Sequence, residues 1–383
     1  MSNYYPSLTF KIFLLTVTLQ YALPVQAQLA NNSYRSRFFY KPTHFIADAN
    51  IDTLAAKEDS SSFSNAAPIV KTLKLHYDDV LPITNAGISI TKPKERRQLM
   101  GYLKTVTTNE DVNYNQSHAK FLYHLANVFA KLRLYPLAMK CFLKTTAIRA
   151  KYAVDSLAQT DSSRYLAINT KDDSLVANQA LMVNSPGYNT KRSKATNYKY
   201  IMSTLDDGKK AVAYAMLFHV KQPVPGKRKI FVWGNTGHTF ITLIKYNVDS
   251  TYSSFSFGFY PKKLNLLSAT PVEPETASVF KDDTNHQWDE VLGKFISKRR
   301  FEKILLLVKR YDHLEYHLSN NNCTDFGLKA AQLAGINIDG TTGSWPLGHG
   351  NNPAITGQSI LEGKFNDADT GKASDLFINT LVP

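Results

Sequence analysis

The chain has 383 residues, with 45 Lys and Arg against 31 Asp and Glu, a formal charge of +14. Its 43% hydrophobic and 20% charged content excludes chain-wide disorder, and at ~150 residues per domain the length allows a leader and two domains. The cationic residues are dispersed and accompany no base-reading motif, so no nucleic-acid partner is expected; peripheral contact with an anionic envelope surface suits the charge better.

The N-terminus has no acidic residue and a single Lys11, followed by the apolar run IFLLTVTLQYALPV and the sequence Val25-Gln26-Ala27. That run is too short to span a bilayer and ends on an A-x-A-like site, which predicts a signal peptide over 1–27, cleaved after Ala27. The alternative is an uncleaved anchor. Cleavage makes the mature chain extracytoplasmic, either periplasmic or secreted. Only two cysteines occur, Cys141 and Cys323, so no disulfide framework staples the fold and both thiols are expected to be free.

Residues 28–90 show no sustained period and read as an irregular segment. Within 91–155, KFLYHLANVFAKLRLYPLAMKCFLKTTAIRAKYA carries two helical stripes, Leu122, Leu125, Ala126, Phe129 and then Tyr135, Ala138, Met139, Phe142, broken just before Pro136. These predict two antiparallel helices resembling one tetratricopeptide-type hairpin. Such a unit is either a platform for a protein partner or a helical layer packed on the next domain, since stacked repeats need about three units for stability. Cys141 falls in the second stripe and reads as core. Residues 156–204 turn polar and read as a linker.

Across 205–383 the period changes to two. AVAYAMLFHVKQPV, HTFITLIKYN and SSFSFGFYP predict three strands joined by turns at Pro225-Gly226 and around Asn247 to Ser250, tight enough to make neighbours antiparallel. The stretch from Pro271 to Asp283 reads as a loop and HQWDEVLGKFI as a fourth strand. Ser297 then caps a helix with Phe301, Ile304, Leu305, Val308 and Tyr311 along one stripe. In YHLSNNNCTDFGLKAAQLAG, Cys323, Phe326, Gly327, Ala330, Ala331 and Ala334 recur at helical spacing, with Asn322 as N-cap and Gly335 as the left-handed stop. Cys323 therefore opens a helix, where the dipole favours the thiolate and a pKa below ~8.5.

A nucleophilic thiol needs a base. His238 opens a predicted strand directly after Gly234-Asn235-Thr236-Gly237, at an edge from which a side chain reaches a cleft; His219, His286, His313 and His317 are alternatives. No His-Cys cluster has zinc spacing, no glycine-rich loop cradles phosphate and no G-x-S-x-G elbow is present, so no metal or cofactor is expected. The pairs Asp206-Asp207 and Asp282-Asp283 read as turn chemistry.

GHTFITL, then GFYP, a helix and YHLSNNNCTDF resembles the circularly permuted papain-like superfamily, which includes relatives of NlpC-type cell-wall amidopeptidases and the lecithin-retinol acyltransferase group. In that group an Asn-Cys pair starts the cysteine helix and the histidine strand precedes it, as over 207–335 here. The resemblance implies an α+β fold, an antiparallel sheet packed on helices, preceded here by the small helical region. It implies a secreted cysteine hydrolase of thiol-protease type, with Cys323 as nucleophile and His238 as general base acting on amide or ester bonds, cell-wall (peptidoglycan) peptides first. Lipid acyl transfer or ester hydrolysis, or a scaffold of the envelope without turnover, are the alternatives. The backbone N–H of Cys323, with Tyr316 or an amide of Asn320, Asn321 or Asn322, would meet the oxyanion. The group orienting the imidazole would be a polar residue on the next strand, with Asp249, Ser254 and Ser256 as candidates.

Overall fold

The computed structural model describes residues 116–152, 193–232 and 235–381, together with 97, 172 and 175–179. The expected signal peptide, the 28–90 segment and most of the 156–204 stretch lie outside the described residues.

The hairpin comprises helix α1 (Gln116–Lys131) and helix α2 (Tyr135–Tyr152). Between them Arg133 holds φ +60, and the Leu134 N–H donates to the Phe129 carbonyl, closing the turn before Tyr135 begins the next helix. The end of the polar stretch is ordered, with strand β1 (Ala195–Thr196) and helix α3 (Tyr198–Leu205) capped by Asn197. The strands β2 (Ala211–Lys221), β3 (His238–Asn247) and β4 (Tyr252–Pro261) follow as the alternation predicted. The stretch expected to be a loop instead contains β5 (Glu275–Thr276) and β6 (Ser278–Asp282), ahead of β7 (Glu290–Ile296).

Helix α4 (Lys298–Tyr311) has Ser297 as its cap and leads to β8 (Tyr316–His317) and helix α5 (Cys323–Ala334). The remaining chain forms β9 (Ile336–Ile338), β10 (Thr342–Trp345), β11 (Gly348–Asn351), helix α6 (Pro353–Leu361), β12 (Phe365–Asp367) and β13 (Phe377–Thr380).

Seven strands make one antiparallel sheet in the order β1-β6-β4-β3-β2-β7-β13. Helices cover both faces of this α+β architecture. On one face Ala215, Leu217, Phe240, Ile244, Tyr246 and Val291 pack against the hairpin, whose apolar side is spent on the sheet. The Tyr246 hydroxyl donates to the Pro136 carbonyl at 2.9 Å and the Tyr123 hydroxyl to that of Ile378 at 2.8 Å, tying helix layer to strand layer. On the other face Met216, Phe218, Ile241, Leu243 and Leu292 pack against α4 and α5. Every residue of β3 is buried as a result, which is why its apolar residues do not alternate cleanly.

Candidate active site

Helix α5 is held at its start by a capping box. Asn322 accepts from the N–H groups of Thr324 and Asp325, while Asp325 accepts from the Asn322 N–H at 3.0 Å. A cap of this kind contributes about 1 kcal/mol. Asn351 of β11 donates to Asp325 at 2.7 Å, and Asn322 donates to the Asn351 carbonyl at 2.8 Å, so the β10–β11 hairpin braces the turn that presents Cys323. One turn on, Gly327 lets the helix lie against β3: a methyl there would stand 2.6 Å from Thr239 Cγ2 and 2.9 Å from Phe218. This close approach brings the first turn of α5 to the first residues of β3.

His238 meets Cys323 there. Its ring and the Thr239 backbone N–H come close enough to the sulfur to act on its ionisation. Its Nε2 lies 3.0 Å from Asp283 Oδ2, leaving Nδ1 as the other ring nitrogen. The other carboxylate oxygen accepts from the Tyr260 hydroxyl at 2.6 Å and the Ser193 hydroxyl at 2.7 Å. Tyr260 also packs on the imidazole, with ring centroids 4.2 Å apart.

Asp283 reaches His238 across the intervening strand β4, and Gly258 makes this possible. A Cβ at Gly258 would strike His238 Nε2 and stand 2.5 Å from Asp283 Oδ2. Glycine inside a strand commonly marks such an approach.

The charges follow from these contacts. Burial works against an imidazolium at His238, but the Asp283 carboxylate overrides it and raises the pKa to about 9. Burial likewise opposes ionisation of Cys323 and Asp283. The His238 contact prevails at both, and their pKa values fall below the usual thiol and carboxyl values. The arrangement favours a thiolate beside an imidazolium, held by a carboxylate.

The oxyanion candidates separate cleanly. The Tyr316 hydroxyl lies against both the sulfur and the backbone N–H of Cys323, and burial keeps it protonated by raising its pKa far above 10. Asn322 spends its side chain on the helix cap and on the Leu318 and Asn351 carbonyls. Asn321 donates to the Glu315 carbonyl at 2.6 Å, and Asn320 is exposed on the turn. These three asparagines shape the approach to the helix rather than facing the sulfur.

The expected orienting residues are corrected by the geometry. Asp249 is exposed at the far turn of β3–β4, where it binds Lys209 at 2.8 Å and Thr251. Ser254 is opposite Ile244, several residues along the sheet from His238. Ser256 pairs with Thr242 at 2.7 Å, and Thr242 with Nε2 of His219 at 2.9 Å, so that hydroxyl serves a different histidine. His219 stacks on Phe240 at 4.4 Å, and burial lowers its pKa well below 6.5. His286 packs 5.0 Å from the His238 ring but donates to the Gln287 carbonyl at 2.7 Å, and burial brings its pKa down to about 4. Asp283, read from sequence as a turn residue, is the missing member; the glycine in GFYP was the available signal for a close approach over β4.

No family model, curated protein or solved structure matches the chain.

Proposed function

We propose that this protein is an exported thiol hydrolase of permuted papain-like fold, working through Cys323, His238 and Asp283. The observation that carries the reading is the buried relay of sulfur, imidazole and carboxylate at the start of a capped helix. The thiolate would attack the carbonyl carbon of an amide or ester, forming the C–S bond of a tetrahedral intermediate whose oxyanion meets the Cys323 N–H and the Tyr316 hydroxyl. Collapse breaks the bond to the leaving group, which takes its proton from His238. A water then gives a proton to His238 and adds to the thioester, releasing the acid and restoring the thiolate. Asp283 keeps the ring oriented and stabilises its charge throughout.

Cell-wall peptides are the first substrate class under this reading and lipid esters the second. A scaffold that retains the fold without turnover is the competing reading, and alkylation separates it from both. Iodoacetamide at neutral pH should modify Cys323 at least ~10³-fold faster than Cys141, and Cys323→Ala should bring hydrolysis of a p-nitrophenyl ester to background. Equal, slow modification of both thiols would remove the enzymatic reading.

A further inference from the structure

Six of the eleven large apolar side chains exposed among the described residues sit on three short segments: Phe231, Leu264, Leu266, Leu267, Val272 and Leu347. The segments are 223–232, upstream of His238; 262–274, which leaves β4 just after Tyr260; and the β10–β11 hairpin. The second and third touch the turn that presents Cys323, and the first touches the hairpin. The Leu318 N–H donates to the Pro274 carbonyl at 2.9 Å, and β5 pairs with β8 alongside. Gly350 lies against the Ser319 carbonyl, while a methyl on Gly343 would stand 3.0 Å from Ile230.

The exposure is extreme for apolar groups, 98% at Leu266 and 82% at Leu347. Leu347 also holds φ +63, a conformation that costs an L-residue energy and would suit glycine better. A leucine kept there against both solvent and backbone preference marks a surface with an occupant.

The charge around these side chains indicates which occupant. Lys227, Lys229, Lys262 and Lys263 are exposed on the same segments, whose only acidic residue is Glu273, while Arg228 beside them pairs with Glu362. Projecting leucines and phenylalanine ringed by lysine complement an anionic lipid surface, where the apolar tips enter the acyl boundary and the ammonium groups meet headgroup phosphates. A peptide groove would instead be concave, with the apolar residues half-buried along its walls.

We propose that the Cys323 end of the molecule docks on an anionic lipid bilayer through these three segments, so that the thiol works at the membrane surface. The inference deepens the proposed function by naming where the site meets its substrate, while the docking itself requires no turnover.

Co-sedimentation of the full chain with phosphatidylcholine vesicles, with and without phosphatidylglycerol, tests it. Binding is expected to anionic vesicles, to weaken in high salt, and to fall about tenfold or more in Leu264→Asp/Leu266→Asp. Lys262→Glu/Lys263→Glu should lose at least about fivefold per lysine. Leu306→Asp, at a solvent-facing leucine on α4, should bind as wild type, and so should Cys323→Ala, which separates docking from catalysis. The proposal is overturned if vesicles are not bound, if the loop variants bind unchanged, or if only purified peptidoglycan retains the protein. Thermal midpoints of the loop variants equal to wild type establish that any loss belongs to the surface.

Discussion

Cys141 and Cys323 are both buried on helices, yet their surroundings drive them in opposite directions. Cys141 is packed between α1, α2 and the sheet, where burial pushes its thiol up to about 12. Cys323 opens its helix beside His238, and its pKa falls. The acids repeat the contrast. Asp283 and Glu290 are each fully buried, but Asp283 has three side-chain partners and a lowered pKa, whereas both Glu290 carboxylate oxygens lack a hydrogen-bond partner and burial raises the group to about 8. Burial alone thus suppresses ionisation in this molecule. Only a built constellation of partners reverses it.

The largest test of that contrast is Asp283→Asn, which keeps the shape and removes the charge. Turnover should fall by about 10³ to 10⁴, as expected when an imidazole loses its orienting carboxylate. The pH profile sharpens the point. In the wild type His238 keeps its proton up to about 9, so activity should decline only as pH rises through that value, and in the variant the decline should move toward or below 6.5. The stability signs agree: raised His238 contributes fully below its unfolded value and loses its contribution by about pH 9, while lowered Asp283 contributes above its own unfolded value. The gap in thermal midpoint between wild type and Asp283→Asn should therefore be widest between roughly pH 4.5 and 6.5 and close above about 9.

Gly258→Ala attacks the same pair by shape. The methyl would wedge between His238 and Asp283, so kcat should drop about 10- to 100-fold and the thermal midpoint should fall with the weakened pair, by less above about pH 9 where that pair no longer contributes; activity assays and calorimetry read the two together. A midpoint loss of the same size at every pH would mean that the glycine serves packing instead.

Glu290→Gln probes the acid without partners. An acid with a raised folded pKa loses stability as pH climbs from its unfolded value toward about 8, so the variant should gain a few degrees over wild type above pH 8 and little below about 4.5. The smallest effect belongs to Cys141→Ala, with turnover unchanged and a stability cost of about 1 kcal/mol from the lost packing, measurable by denaturant titration.

Much of this organisation was legible in the chain. Strand β3 begins and ends where the sequence reading placed it, the Ser297-capped helix buries the stripe from Phe301 to Tyr311, and Gly335 takes the left-handed stop at φ +83. These features are local: side-chain period, cap chemistry and glycine's freedom act within a few residues. Strand β6 was hidden because five residues at an outer strand carry too little period to stand apart from a loop.

Sequence by itself determined that Cys323 starts a helix, that His238 opens a strand, and that Cys141 belongs to an apolar stripe. The tertiary structure alone decided that Asp283, not Asp249, Ser254 or Ser256, completes the pair. Strand order placed β6 beyond β4, and Gly258 left the space for a carboxylate to pass over the strand between. Partnership across a sheet depends on which strands become neighbours, and no local preference encodes that choice.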